Sequence, residues 1–131
     1  MTVLLDTNIF LWILADDERL SSGCRRIYLE AGNDFLLSMA SIWEIFIKLG
    51  NGKLGLPSPP ERFLRDQLRE NGIKLLPVRF VHAAKLKDLP KCHKDPFDRL
   101  IIAQALTEKL PVLSSDQVFG DYGVKNLFYM T

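Results

Sequence analysis

Cysteine is scarce in this chain: Cys24 and Cys92 are the only two in 131 residues, and they form no CxxC pair. That excludes a disulfide framework and a zinc ribbon, and it leaves two reduced thiols of the cytosolic kind. Histidine is as rare. His93 adjoins Cys92, but adjacency is poor geometry for a two-ligand zinc motif, and no matching second pair exists. His82 reads as a surface or satisfied helix residue, and neither histidine is given a catalytic role. Charge of one sign is not in excess. Lys and Arg number 17 against 16 Asp and Glu, a net charge of +1, so no broad basic field marks a nucleic-acid binder, although local patches stay open. No apolar run approaches the roughly 20 residues that cross a bilayer, and the greasiest stretch, Ile42–Leu49, is interrupted by Glu44 and Lys48. Repeats, low-complexity segments and a dividing linker are missing too. What remains is a globule of ordinary composition, 47% hydrophobic and 25% charged, read as one cytoplasmic domain over residues 1–131 with no leader peptide and no membrane partner.

Short apolar runs alternate with helical patterns. Residues 2–5, Phe35–Leu37, Ile73–Leu76 and Val112–Leu113 read as strands, with Asn126–Tyr129 as an optional fifth at an edge. Helices are expected over Asn8–Ala15, from a Ser21 or Ser22 cap to about Glu30, and from a Ser38 or Ser41 cap to Gly50. Further helices are expected over Glu61–Glu70, Val78–Leu86 and from Pro96 to about Lys109. The Gly- and Pro-dense loop at 50–60 is either a flap or a simple connection. Alternation of this kind implies a three-layer α/β/α fold with a central, mostly parallel sheet of four to five strands.

Two of the buried runs end in an acid, at Asp6 and Asp116. Ligands of parallel sheets bind at that edge. Taken alone, Asp6 is as easily a helix cap, although Asn8 is equally able to cap and would leave Asp6 free. Asp116 alone is slightly better read as a turn or cap residue. Glu44 is more informative, because Ser41, Glu44 and Lys48 form one polar stripe on a helix otherwise apolar nearly all round, a pattern expected of a buried helix. A Ser41–Glu44 capping box and a Glu44–Lys48 pair are the bland accounts. A buried charge nevertheless needs a partner. Asp95 precedes Pro96 and is a natural N-cap. Asp98 shares a face with Ile101, Ile102 and Ala105 and therefore projects inward.

A cluster of Asp6, Glu44, Asp98 and Asp116 without compensation repels itself and raises its own pKa values. A divalent cation removes the conflict. Oxygen donors without convergent Cys or His favour Mg²⁺ or Mn²⁺ over zinc, and such a site suits phosphodiester hydrolysis.

The segments VLLDTN, SIWEIFIK, HKDPFDRLIIAQA and VLSSD, in this order and spacing, resemble the PIN domain. Within it they are most like the VapC-type toxins of bacterial toxin–antitoxin pairs, over Thr2 to about Asn126. The resemblance implies a four-acid site of Asp6, Glu44, Asp98 and Asp116 acting in catalysis and metal binding. Asp95, of the DPFD variant, and Asn8, of the DTN pattern, would support it, with Ser114 or Ser115 as the small polar residue near the last acid. It further implies an Mg²⁺- or Mn²⁺-dependent endoribonuclease, a homodimer, and a cognate antitoxin whose tail occludes the acidic pocket. Lys48, Lys53, Lys91, Lys94 and Arg99 are available for RNA phosphates, each of them more simply a solvated charge. Arg99, beside Asp98, is the best single choice, with a neighbouring acid as its other potential partner.

The competing reading is a non-enzymatic module, phospho-receiver-like or RNA-binding, with a metal-binding acidic pocket. A receiver needs an acid after a middle strand and a lysine after a late one. Phe35-Leu36-Leu37-Ser38 and Ser114-Ser115-Asp116 supply neither. An aspartyl phosphatase wants DxD, and Asn8 stands in the second place.

Overall fold

The computed structural model describes residues 1–130. Strand β1 (Thr2–Leu5) buries Val3, Leu4 and Leu5 completely, as a strand covered on both faces must. It pairs with β2 (Asp34–Ser38) on one side and β4 (Val112–Leu113) on the other, while β2 pairs with β3 (Lys74–Leu76). All three pairings are parallel, and the order is β3-β2-β1-β4. Parallel neighbours require crossovers. These are α1 (Thr7–Ala15) with α2 (Ser22–Leu29), then α3 (Met39–Gly50) with α4 (Pro60–Glu70), then α5 (Phe80–Lys85) with α6 (Pro96–Glu108). A short α7 (Val118–Asp121) follows β4.

Because strand side chains alternate between faces, the sheet divides the core in two. Val3, Leu5, Leu37 and Leu113 pack with Ile9, Phe10 and Ile45. Leu4 and Val112 pack on the other side with Ile101, Ile102 and Phe119. The three-layer α/β/α reading holds. Among the described residues, no helix is long and apolar enough to cross a membrane.

Local signals place the helix ends. Ser21 Oγ accepts the Cys24 N–H at 3.2 Å and Ser38 Oγ accepts the Ala40 N–H at 2.9 Å. Ser38, not Ser41, therefore starts α3, and Ser41 lies inside the helix, so the Ser41–Glu44 capping box does not form. Helix α4 ends at the turn carrying Gly72, whose φ of 65° lies in the left-handed region that glycine adopts without strain. Helix α3 is not buried all round. Trp43 and Ile47 are 60% and 44% exposed, because only one face of the helix meets the sheet.

The optional fifth strand is not built. Asn126 makes an isolated parallel bridge to Val112, and Leu127–Met130 wind into a 3₁₀ turn. The reason is the Asn126 side chain. Its Nδ2 donates to the carbonyls of Ser114 and Asp116 at 2.9 and 3.2 Å, and its Oδ1 accepts the N–H groups of Ser114 and Phe128 at 3.1 and 3.2 Å. A side-chain amide thereby satisfies backbone groups that a fifth strand would have paired.

Candidate active site at the carboxyl edge of the sheet

The chain builds outward from β1 through β2 to β3, then returns to place β4 on the other flank of β1. The carboxyl ends of β1 and β4 are therefore a topological switch point, where open α/β sheets leave a crevice. Asp6 follows β1, and its N–H donates to the Leu113 carbonyl at 3.0 Å, which aligns it with the end of β4. A cavity of about 180 Å³ opens there, lined by Asp6, Asn8, Glu44, Asp95, Asp98 and Asp116 together with Thr7 and Lys48. All four sequence-predicted acids face this one space.

Asp6 is buried and is the N-cap of α1, and capping does not take it away from the cavity. Oδ1 accepts the Thr7 N–H at 2.8 Å and Oδ2 accepts the Ser114 hydroxyl at 2.6 Å. Burial pushes the Asp6 carboxyl up to about 6, and the negative charges of Asp98 and Glu44 push the same way against these two hydrogen bonds. Asn8, the alternative cap, is instead exposed at the cavity.

Glu44 is held by a residue the sequence did not single out. Thr7 Oγ1 lies 2.8 Å from both Glu44 Oε1 and Ser41 Oγ. A carboxylate only accepts, so the Thr7 hydroxyl donates to Glu44 and receives the Ser41 hydroxyl. Glu44 Oε2 meets Lys48 Nζ at 3.0 Å. The i,i+4 pair is thus real, and it faces the cavity.

Asp95 caps α6, its Oδ1 accepting the Asp98 N–H at 2.9 Å. Asp98 lies in the first turn, and Ile101, Ile102 and Ala105 behind it are buried as its inward face requires. Burial raises the Asp98 pKa; the His93 hydrogen bond opposes this and the Asp95 charge adds to it. His93, which received no role from the sequence, has Nε2 2.8 Å from Asp98 Oδ2. The signal for it is position, since a polar side chain two residues before the Asp95 N-cap can fold back over the first turn.

Ser114, not Ser115, is the small polar partner of the last acid. Its Oγ accepts the Asp116 N–H at 3.0 Å while donating to Asp6. Asp116 is exposed, and its Oδ1 accepts the Val118 N–H at 3.0 Å. His82, read as a surface or satisfied residue, is fully buried instead. Its Nδ1 accepts the Arg79 N–H at 3.0 Å, while Nε2 lies 3.7 Å from Glu108 Oε2 without a hydrogen-bond partner.

Arg99 is engaged with backbone carbonyls and with Tyr122. Its Nη1 donates to the carbonyls of Pro90 and His93 at 2.9 and 3.3 Å and to Tyr122 Oη at 3.2 Å, and its Nη2 donates to the Leu86 carbonyl at 3.4 Å. The Tyr122 hydroxyl in turn donates to the Pro90 carbonyl at 2.7 Å. Arg99 and Tyr122 therefore pin the segment that presents His93. Arg99→Ala is expected to cost about 1–2 kcal/mol of stability and to speed exchange of the His93 amide, which donates to Tyr122 Oη at 3.1 Å. Unchanged protection of that amide by hydrogen exchange would mean other contacts hold the segment.

The donor set suits a hard divalent cation. Five carboxylates (Asp6, Glu44, Asp95, Asp98, Asp116) share the cavity with one ammonium, Lys48. Burial first, and the neighbouring carboxylates second, push the Asp6 and Asp98 pKa values upward. One donor atom each from His93, Asp98 and Asp116 lies within 4.8 Å of the others.

Fold and site define a class: a parallel α/β protein whose switch point gathers carboxylates around a space fit for a cation. The PIN domain profile matches residues 3–125, and the chain belongs to the PIN domain family. Ribonuclease VapC16 of Mycobacterium tuberculosis is 40% identical over 60 residues, 46% of this chain and 43% of that protein, so the match spans less than half of the relative. Among solved structures, VapBC2 from Rickettsia felis bound to a promoter DNA fragment superposes with a TM-score of 0.71 at 16% identity, covering 96% of each chain. FitAcB from Neisseria gonorrhoeae gives 0.59 at 23%, again with 96% of each chain. A toxin–antitoxin complex from Klebsiella pneumoniae gives 0.56 at 18%, with 88% of this chain and 87% of that one. At these identities the likeness to the solved structures is one of fold.

Proposed function

We propose that this chain is an Mg²⁺- or Mn²⁺-dependent endoribonuclease that hydrolyses RNA phosphodiester bonds, and that it is the toxin of a type II toxin–antitoxin pair. The observation that carries the reading is the cavity at the β1–β4 switch point, where five carboxylates meet one lysine.

Asp6, Glu44, Asp98 and Asp116 would hold the cation, which when bound supplies Lewis acidity to the phosphate and lowers the pKa of water. The other residues keep those acids in place. Ser114 holds Asp6 and the Asp116 backbone together, and Thr7 fixes Glu44. Asp95 caps the helix that presents Asp98. Lys48 is half-buried at the cavity, while Lys53, Lys91 and Lys94 are exposed. These lysines give the RNA backbone contacts that add affinity without sequence preference.

Two surfaces fit the partners. A groove of about 640 Å³ adjoins the acid cavity through Asn8 and is walled by Leu11, Trp12, Leu56 and Phe63. Its Arg19 and Asp17 are already paired with each other, so chemistry belongs to the smaller acidic cavity and the groove suits an apolar antitoxin segment. The open face of α3, with Trp43 and Ile47, suits a second copy of the chain.

Purified protein incubated with a total RNA pool is expected to cut it when Mg²⁺ or Mn²⁺ is added and to stop when chelator is in excess, with the cut ends mapped by sequencing. Cleavage that survives chelation would rule out the metal mechanism. Transfer of phosphate to an aspartate would favour the receiver reading. Growth arrest on expression, relieved by a neighbouring small gene, tests the toxin assignment.

A further inference from the structure

His93 is called for neither by helix capping nor by the four-acid pattern, yet it shares one group of potential metal donors with Asp98 and Asp116. Its Nε2 is 2.8 Å from Asp98 Oδ2, and with Asp116 the three donor atoms fall within 4.8 Å of one another. Adjacent donors of one octahedral shell, each about 2.1 Å from the ion, stand roughly 3 Å apart, and opposite donors about 4.2 Å. The His93–Asp98 separation of 2.8 Å is that of adjacent donors, and Asp116 lies within a small side-chain adjustment of the same shell.

The imidazole is held there by the backbone on both sides of it. The His93 N–H donates to Tyr122 Oη at 3.1 Å, and Arg99 Nη1 donates to the His93 carbonyl at 3.3 Å. Ligands that bind well are fixed in advance by such supports. A histidine that only orients Asp98 has no need of Asp116, which arrives from beyond β4 on a separate element. Mg²⁺ keeps to oxygen donors, whereas the first-row transition ions, with Mn²⁺ at the weak end of their series, also accept imidazole nitrogen.

We propose that His93 is a ligand of the divalent cation, together with Asp98 and Asp116, and that its nitrogen makes this site select Mn²⁺ over Mg²⁺. The inference rests on the functional reading above only for the presence of a divalent cation.

The test uses the full chain, freed of any polyhistidine tag, with Mn²⁺ alone as the probe. Electron spin echo envelope modulation is expected to show ¹⁴N coupling from a directly coordinated imidazole in the wild type and none in His93→Ala or His93→Gln. Calorimetric titration is expected to show Mn²⁺ affinity falling about 10–100-fold in both variants, with Mg²⁺ affinity changing by less than about threefold. Glutamine keeps an N–H for Asp98 but offers no imidazole, so it separates ligation from orientation, and a circular-dichroism melt confirms that each variant is folded.

Absence of Mn²⁺ binding, bound Mn²⁺ without nitrogen coupling, or full Mn²⁺ affinity in His93→Gln would each overturn the proposal. RNA cleavage without nitrogen coupling sinks the ligand assignment and leaves the nuclease reading standing. Nitrogen coupling without RNA cleavage does the reverse.

Discussion

Asp98→Asn is expected to lower RNA cleavage by on the order of 10²–10³-fold, the scale lost when one preorganised electrostatic group is removed from an active site. The substitution is nearly isosteric and local structure should survive it. The Asp98 backbone N–H still donates to Asp95 Oδ1, and an asparagine carbonyl oxygen can still accept from His93. The hydrophobic wall behind it, formed by Ile101, Ile102 and Ala105, is untouched. What disappears is one negative charge where a cation would be held. Single-turnover cleavage at saturating Mg²⁺ and at saturating Mn²⁺, beside a thermal melt, separates loss of chemistry from loss of fold. A folded Asp98→Asn protein that cleaves at the wild-type rate would remove Asp98 from the mechanism.

The second large effect concerns stability without metal. Asp6 has its folded-state pKa raised to about 6 from an ordinary 3.8. A raised acid binds its proton more tightly in the folded chain, so ionising it costs folding free energy. Above about pH 6 that cost is fully present. As pH falls through 6 toward 3.8 the folded state keeps a proton that the unfolded state has released, and the penalty fades. Below 3.8 both states are protonated and the contribution is flat.

Asp6→Asn is therefore expected to raise the stability of the metal-free protein near neutral pH by on the order of 2–3 kcal/mol, roughly 5–10 °C in Tm. That advantage should shrink as pH falls toward 4. The raised pKa of Asp98 acts in the same direction in both proteins. The geometry permits the exchange, because an asparagine carbonyl can accept the Thr7 N–H and its amide can donate to Ser114 Oγ. Mg²⁺ or Mn²⁺ should stabilise the wild type more than the variant. A variant less stable than the wild type at neutral pH, or a difference that does not change with pH, would contradict this account of the buried Asp6 carboxylate.

Much of this was legible locally. Ser21 and the Asp95-Pro96 pair mark helix starts that the chain uses, and Val112–Leu113 is the strand its composition indicates. Asp98 could be placed inward because helical period ties it to Ile101, Ile102 and Ala105. The failures have a common form. Asn126–Tyr129 has the composition of a strand, but a side-chain amide captured the backbone groups it needed. Helix α3 has the composition of a buried helix, but burial depends on how many layers reach it, and the sheet covers only one face. Arg99 stands next to Asp98 in sequence, yet successive helix residues point about 100° apart, and Arg99 turns to the segment that bears His93.

By itself the sequence determined the α/β class, the order of the elements, the acids at the ends of β1 and β4, and, through its resemblance to the PIN domain, the four residues to examine. These depend on period, capping and composition, which act over a few residues. Only the tertiary structure decided that Ser114 rather than Ser115 binds Asp6, across 108 positions of chain. It alone placed Thr7 on Glu44 and His93 on Asp98. Such contacts follow from which strands lie side by side and from the directions in which helices leave them. Parallel pairing joins distant segments whose local patterns do not record their partners.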